Sequence, residues 1–259
     1  MKYPKFYENF DLFYEENKDN DAQIVLFLAE GSSHEIKKLQ VTKLSIYGAV
    51  FPEIIFENIH YKTGILAISL KDKTQITIVA AMQRASYNVL KSSNNSYPLF
   101  MDGFSKYINS FLEKFFVAMD HNVTIFGGGK GRLTLNQKQT IFDIVKKYPL
   151  GIETYHNEND LLLVGCIEEN TIVYLLKDEE TPLIETPQDT LDKPREFFII
   201  DYISRVLFLE DHFTKRLHSI KKMSDAHTLC RLLSLGELTN NSNRYIELCN
   251  QTNMMENNI

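Results

Sequence analysis

The residues with most to say about chemistry are Gly127, Gly128, Gly129, Lys130 and Arg132. They lie in the run Val123-Thr124-Ile125-Phe126-Gly127-Gly128-Gly129-Lys130-Gly131-Arg132. Glycine loses more backbone entropy on folding than any other residue, so a cluster needs either a positive φ or the close approach of another group. The chain has only 11 glycines, and four of them are here. Two readings stay open. In one, residues 123–126 are a strand and the glycines a loop at its end, with amides facing a ligand and Lys130 and Arg132 adding positive charge. In the other, the glycines are a tight structural turn. A phosphate-binding loop is excluded, because its Gly-Lys must be followed by Ser or Thr and Lys130 is followed by Gly131. The dinucleotide fingerprint fails too, with Arg132 where its last glycine belongs.

Two further charges stand in apolar surroundings. Arg205 lies on a hydrophobic helical stretch after Asp201, and Glu237 directly follows Gly236. A buried charge is costly without a partner. The two are therefore expected to meet, either lining a polar pocket or as a structural ion pair. Seven histidines (His34, His60, His121, His156, His212, His218 and His227) are scattered, and no pair has the HExxH spacing of a zinc site. A single histidine on haem iron would leave no spacing signature. Cys166, Cys230 and Cys249 are an odd, widely spaced set without a CxxC, which argues against a disulfide framework or structural zinc and for a reducing compartment. No GxSxG elbow and no local Cys, His and acid constellation is present, so no catalytic residues are assigned and an enzyme is not expected.

The elements that must position these residues follow from apolar patterning. Residues 24–29 form a continuous apolar run, as in a strand buried on both faces. A short helix to about Gln40 follows, then a strand over 44–47 that stops at Gly48. Strands are expected at 54–56, 64–70 and 74–80, then a polar loop over 83–96. The pattern restarts with a strand at 97–101, a helix carrying Phe104, Tyr107, Ile108, Phe111, Leu112, Phe115 and Met119, and the strand before the glycines. Strands are read at 133–135, 139–142 and 161–164. A third restart has a strand at 197–200, a helix carrying Ile203, Val206, Leu207, Phe213, Leu217 and Ile220, and strands at 232–235 and 244–249. Phe6, Phe10, Phe13 and Tyr14 place one amphipathic helix within residues 1–20, packed on its own domain or docking a partner. The tail from Asn250 is expected to fray.

One unit thus recurs three times: a buried strand ending in an acid (Glu30, Asp102, Asp201), a helix, and a strand ending in glycine (Gly48, Gly127, Gly236). Spacings between acid and glycine are unequal, so this is no fixed-period solenoid. The expected class is α/β in the α+β mixed sense: mixed, largely antiparallel sheets with packed helices, built from divergent strand-helix-strand repeats. At 44% hydrophobic and 12% aromatic, the 259 residues can bury a full core. A net charge of −6 argues against non-specific nucleic-acid binding, and no apolar run is long enough to span a membrane. The acid- and proline-interrupted N-terminus does not read as a signal peptide.

Four motifs, in order, match a known pattern. They are Leu44-Ser45-Ile46-Tyr47-Gly48-Ala49-Val50-Phe51-Pro52-Glu53, leading into residues 64–70; Phe126-Gly127-Gly128-Gly129-Lys130-Gly131; Ile200-Asp201-Tyr202-Ile203-Ser204-Arg205; and Ser234-Leu235-Gly236-Glu237-Leu238, followed by Asn250-Gln251-Thr252. Together they resemble the FIST family of intracellular sensory domains, over about residues 20 to 253. The resemblance implies an N-terminal segment at 1–20, a FIST N-terminal-like domain at 21–165, a shortened C-terminal-like domain at 166–253 and a disordered tail at 254–259. It implies a stand-alone cytoplasmic sensor that binds a small ligand, an amino acid or related metabolite. Such a sensor signals in trans to a kinase, cyclase or chemoreceptor, with no nucleic-acid or membrane partner. The expected ligand-binding residues are Gly127, Gly128, Gly129, Lys130, Arg132, Arg205 and Glu237, with no metal and no obligatory cofactor. Alternatives are a haem-binding nitric-oxide sensor acting on a histidine kinase, an enzyme using the same loops, and a protein-interaction scaffold.

Overall fold

The computed structural model describes residues 4–70, 76, 78, 79, 82, 96–103, 105, 107–118, 124–131, 153–156, 161–164, 197–203, 206, 212–214, 217, 229–240, 246–249 and 253–256. The strands expected at 133–135 and 139–142, most of that at 74–80, and the loop at 83–95 lie outside these residues. The fold is mixed α+β, and its sheets are mixed.

The chain opens with a short strand, β1 (Lys5–Tyr7), where a helix alone was expected. Helix α1 (Phe10–Asn17) follows, its N-terminus capped by Asn9, whose side chain accepts from the Leu12 amide at 3.0 Å. Next come β2 (Gln23–Ala29), the single-turn α2 (Ile36–Leu39), β3 (Ser45–Phe51), β4 (Glu53–Phe56), β5 (Ile59–Tyr61) and β6 (Ile65–Ser69). The second stretch is β7 (Ser96–Asp102), α3 (Ile108–Ala118) and β8 (Thr124–Lys130). The hairpin β9 (Glu153–His156) and β10 (Leu161–Val164) makes a two-stranded sheet. The third stretch is β11 (Phe197–Tyr202), helical residues including Ile203, Phe213 and Leu217, and β12 (Leu229–Ser234). It closes with β13 (Glu237–Asn240), β14 (Ile246–Cys249) and β15 (Asn253–Glu256).

Three larger sheets result, with orders β1-β6-β2-β3, β15-β11-β12-β4-β5 and β14-β13-β8-β7. Three pairs run parallel: β2 with β3, β7 with β8, and β11 with β12. Every other pairing is antiparallel among the described residues. A parallel neighbour requires a crossover rather than a hairpin, and each crossover here carries a helical segment. The five-stranded sheet joins strands from residues 53–61 to strands from 197–256, and the β7/β8 sheet joins residues 96–130 to 237–249. Both sheets therefore draw strands from either side of the expected boundary at residue 165.

Burial on both faces explains the apolar strands. On β2, Ile24 and Leu26 pack against Phe10 and Phe13 of α1, while Phe27 and Ala29 turn into an inner core with Phe51, Ile54, Phe126, Ile200 and Leu232. That inner core draws on all three sheets. α3 covers Ile125 and Leu238, and the helical residues Ile203, Phe213 and Leu217 cover Ile55 and Leu233. Each of the three sheets thus packs a helical segment on one face and contributes to the inner core from the other.

Several elements differ from expectation for identifiable reasons. β3 runs through Gly48 to Phe51, because a side chain at 48 would be driven into the Leu26 carbonyl of the adjacent strand. β4 and Ile59–Tyr61 form a hairpin over Glu57-Asn58, both at positive φ (59° and 122°), so the strand after the turn is β5 and not residues 64–70. The polar segment at 253–256 does not fray: it adds to the edge of β11, pairing Met254 with Ile200 and Met255 with Ile199.

Candidate functional site

β8 does not stop at its glycines; all three lie within the strand. The loop and the turn readings of Gly127, Gly128 and Gly129 are both replaced by close strand packing. A side chain at Gly127 would be driven into the Leu99 carbonyl of β7. At Gly129 it would lie 2.5 Å from the Leu235 carbonyl. At Gly128 it would come within 2.9 Å of Ile200 and of Ser234 in the facing sheet. Glycine in a strand interior marks such a close approach.

These contacts bring three strand ends together. The amide of Gly129 donates to the Gly236 carbonyl at 2.8 Å, and that of Leu235 donates back to the Gly129 carbonyl at 2.8 Å. The Gly131 amide donates to the Val50 carbonyl at 2.9 Å, the Gly103 amide to the Lys130 carbonyl at 3.0 Å, and the Glu30 amide to the Pro52 carbonyl at 3.4 Å. Val50 is near the carboxyl end of β3, Lys130 ends β8, and Leu235 follows the end of β12. The carboxyl ends of all three parallel pairs therefore converge. The acids that close the first strand of each pair, Glu30, Asp102 and Asp201, stand at the same end. The amides of Gly129 and Gly131 are committed to protein carbonyls, so among the described residues the positive charge near these ends is the half-buried side chain of Lys130.

Glu237 opens β13 opposite Gly128 and is fully buried. It shares the face of β13 turned away from α3, since Leu238 packs under that helix. Arg132 and Arg205 lie outside the described residues, as do His121, His218 and His227, and with them the expected meeting of Arg205 and Glu237. The buried arginine that the described residues do hold is Arg231, in the middle of β12. Its Nη1 donates to Asp201 Oδ2 at 3.1 Å, and both side chains are at 0% exposure. Asp201 Oδ1 also accepts from the Tyr202 amide at 2.9 Å. Ser234 Oγ stands 2.9 Å from the Gly236 carbonyl and 3.2 Å from that of Asp201, so it ties β11 to the corner between β12 and β13. Sequence reading missed Arg231 although the signal was present: an arginine inside the apolar run Leu229-Cys230-Arg231-Leu232-Leu233 is the same anomaly that drew notice to Arg205.

A second acid–base contact lies toward the edge of the same sheet, between Glu53 Oε2 and His60 Nε2, with Lys62 Nζ 3.9 Å from Glu53 Oε1. Register puts Ile55 between His60 and Arg231, so the two contacts share a face. Cys230 is buried in the inner core, and that burial pushes its thiol pKa up to about 12, so it is no nucleophile at neutral pH. Among the described residues, no three His, Cys, Asp or Glu side chains are grouped to hold a metal ion. No described helix is long and apolar enough to cross a membrane. No protein-family model matches the chain, and no curated protein matches it in sequence.

Proposed function

We propose that the chain is a FIST-like sensory domain that binds a small metabolite where its three parallel pairs end, and signals in trans to a partner protein. The observation that carries this reading is the convergence of those carboxyl ends at Gly129, Gly131, Val50 and Leu235. In sheets with parallel crossovers, ligands bind outside the carboxyl ends of the strands. The three strand-helix-strand units are read as divergent copies of one unit, each delivering its carboxyl end to the common point. Lys130 and Glu237 supply charge beside this point, on elements held by the close packing of the glycines. Binding there passes a signal if it favours one of two arrangements of the strand ends, because a ligand shifts an equilibrium only by its differential affinity.

The test is native mass spectrometry of the full chain, purified without denaturant, followed by a thermal-shift screen of small metabolites. The reading predicts one small molecule retained per chain, or a screened compound that raises the melting temperature. A ligand at a hundredfold its Kd adds about 2.7 kcal/mol. A bound mass equal to haem would replace the metabolite with the haem alternative. An empty chain that responds to no compound would contradict the reading.

A further inference from the structure

Strand β1 closes the edge of β6 with three register pairs, Lys5 with Ala67, Phe6 with Leu66 and Tyr7 with Ile65. Its side chains alternate between two faces, as a strand requires. Phe6 packs on the β4–β5 hairpin of the five-stranded sheet, its ring centroid 4.1 Å from that of Tyr61 and 5.7 Å from that of Phe56. Gly64 makes room for it, since a side chain there would lie 2.5 Å from the Phe6 ring. Tyr7 turns the other way, under α1, with its ring edge-on to Phe13 at 5.4 Å. Its hydroxyl donates to Glu16 at 3.1 Å and accepts from Asn17 Nδ2 at 3.2 Å. Lys5 Nζ lies 2.6 and 2.5 Å from the two Glu16 carboxylate oxygens. The edge of β6 thus carries three recognition points. They are an aromatic socket at Phe56, Tyr61 and Gly64, a phenol socket at Phe13 and Asn17, and the Glu16 carboxylate for a cation.

β1 is short for the surface it covers. It has three residues, and its ion pair is exposed, at 56% for Lys5 and 49% for Glu16, where such pairs contribute little. α1 keeps its own anchors, since Phe10 and Phe13 pack with Ile24 and Leu26. Beneath β1 the strand β6 is apolar on both faces, with Ile65, Leu66 and Ala67 buried. A bared apolar edge is a template for another strand. We propose that this edge is a strand-docking groove, filled in cis by β1, that takes an extended segment of a partner protein in its place. The chemistry of that segment is the chemistry of β1: a basic residue, an aromatic residue and a tyrosine in succession, antiparallel to β6. Backbone pairing gives such strand addition its affinity, and the alternating sockets give it specificity. β1 is then an autoinhibitory strap, and the partner's apparent affinity scales with the fraction of chains in which the strap is open. The groove is independent of the ligand at the strand ends.

The experiment uses the full chain in three forms: wild type, Phe6→Ala, and Lys5→Cys with Ala67→Cys. The second weakens the strap, and the third locks it by a disulfide across a register pair. The probe is a fluorescein-labelled peptide with the sequence of residues 3–9, followed by anisotropy. Phe6→Ala is expected to bind the peptide about tenfold more tightly than wild type, because its strap is open in more chains. The oxidised locked chain is expected to bind none, and its reduction should restore binding. A peptide with alanine in place of its phenylalanine should bind Phe6→Ala about tenfold more weakly than the parent peptide, having lost the ring that fills the socket. If Phe6→Ala loses its cooperative melting transition, the locked chain against its own reduced form carries the test. No peptide binding by Phe6→Ala or by the reduced chain, equal binding by the oxidised chain, or equal binding of the alanine peptide would overturn the inference. A wild-type dimer that the lock abolishes, with no peptide taken up, would give the groove to a second copy and overturn the partner segment.

Discussion

At the scale of single residues, the buried Asp201–Arg231 pair dominates the energetics. Two fully buried charges hold each other at 3.1 Å, with Tyr202 satisfying the second carboxylate oxygen. Breaking such a pair strands a charge in a low-dielectric interior, whereas removing both partners removes the problem. Asp201→Ala is therefore expected to lose about 3–5 kcal/mol of unfolding free energy in urea titrations. The double variant Asp201→Ala with Arg231→Met should recover most of it, and additive losses would show that the pair is not coupled. Cys230 gives a second check. Burial raises its thiol pKa from an ordinary 9.0 to about 12, so the folded state keeps a proton that the unfolded state releases. That stabilisation is complete below pH 9 and is lost as pH climbs toward 12. Wild type should thus lose more stability than Cys230→Ala across that window, and parallel curves would mean the thiol is not buried as described. Asp201 was legible as an acid near a strand end and Arg231 as a charge inside an apolar run, but their meeting was not legible. A charge buried in a strand is decided by what the facing layer supplies, and that is a tertiary fact.

At the scale of elements, hydrophobic runs located most strands, while their ends depended on neighbours. β2 was readable because both its faces are apolar, and α3 because Ile108, Phe111, Leu112 and Phe115 all turn to one side. β8 was cut short in the sequence because glycine reads as a loop residue until the strand pressing on it is known. Gly127→Ala tests that reason. With the Leu99 carbonyl in the way, even one methyl group should cost roughly 1–3 kcal/mol, read as a lower denaturant midpoint with unchanged slope. A neutral result would return Gly127 to an open loop. The β4–β5 hairpin was missed because Glu57-Asn58 is a poor signature for a two-residue turn with both φ positive. Asn-Gly is the pair such a turn favours. Glu57→Asn with Asn58→Gly should stabilise by about 1 kcal/mol, raising the melting temperature, and destabilisation would argue against the turn.

At the scale of the whole molecule, the three restarts of the chain become three parallel pairs whose carboxyl ends share one place. The order of acids and glycines marked the three restarts in the sequence. What it could not give is how the second strands continue: β3 leads past Pro52 into the five-stranded sheet, and β12 leads past Gly236 into the β7/β8 sheet. These passages between sheets lock the three ends together and place Glu237 and Lys130 near one another in the fold. The proposed sensor depends on that closeness, since a ligand at the junction touches all three units at once. The most direct measurement is amide-resolved NMR during titration with whichever compound raises the melting temperature. The account predicts simultaneous perturbation at Val50 and Phe51, at Gly103 and Gly131, and at Leu235 and Gly236. Perturbation confined to one of these ends, or centred elsewhere, would contradict it.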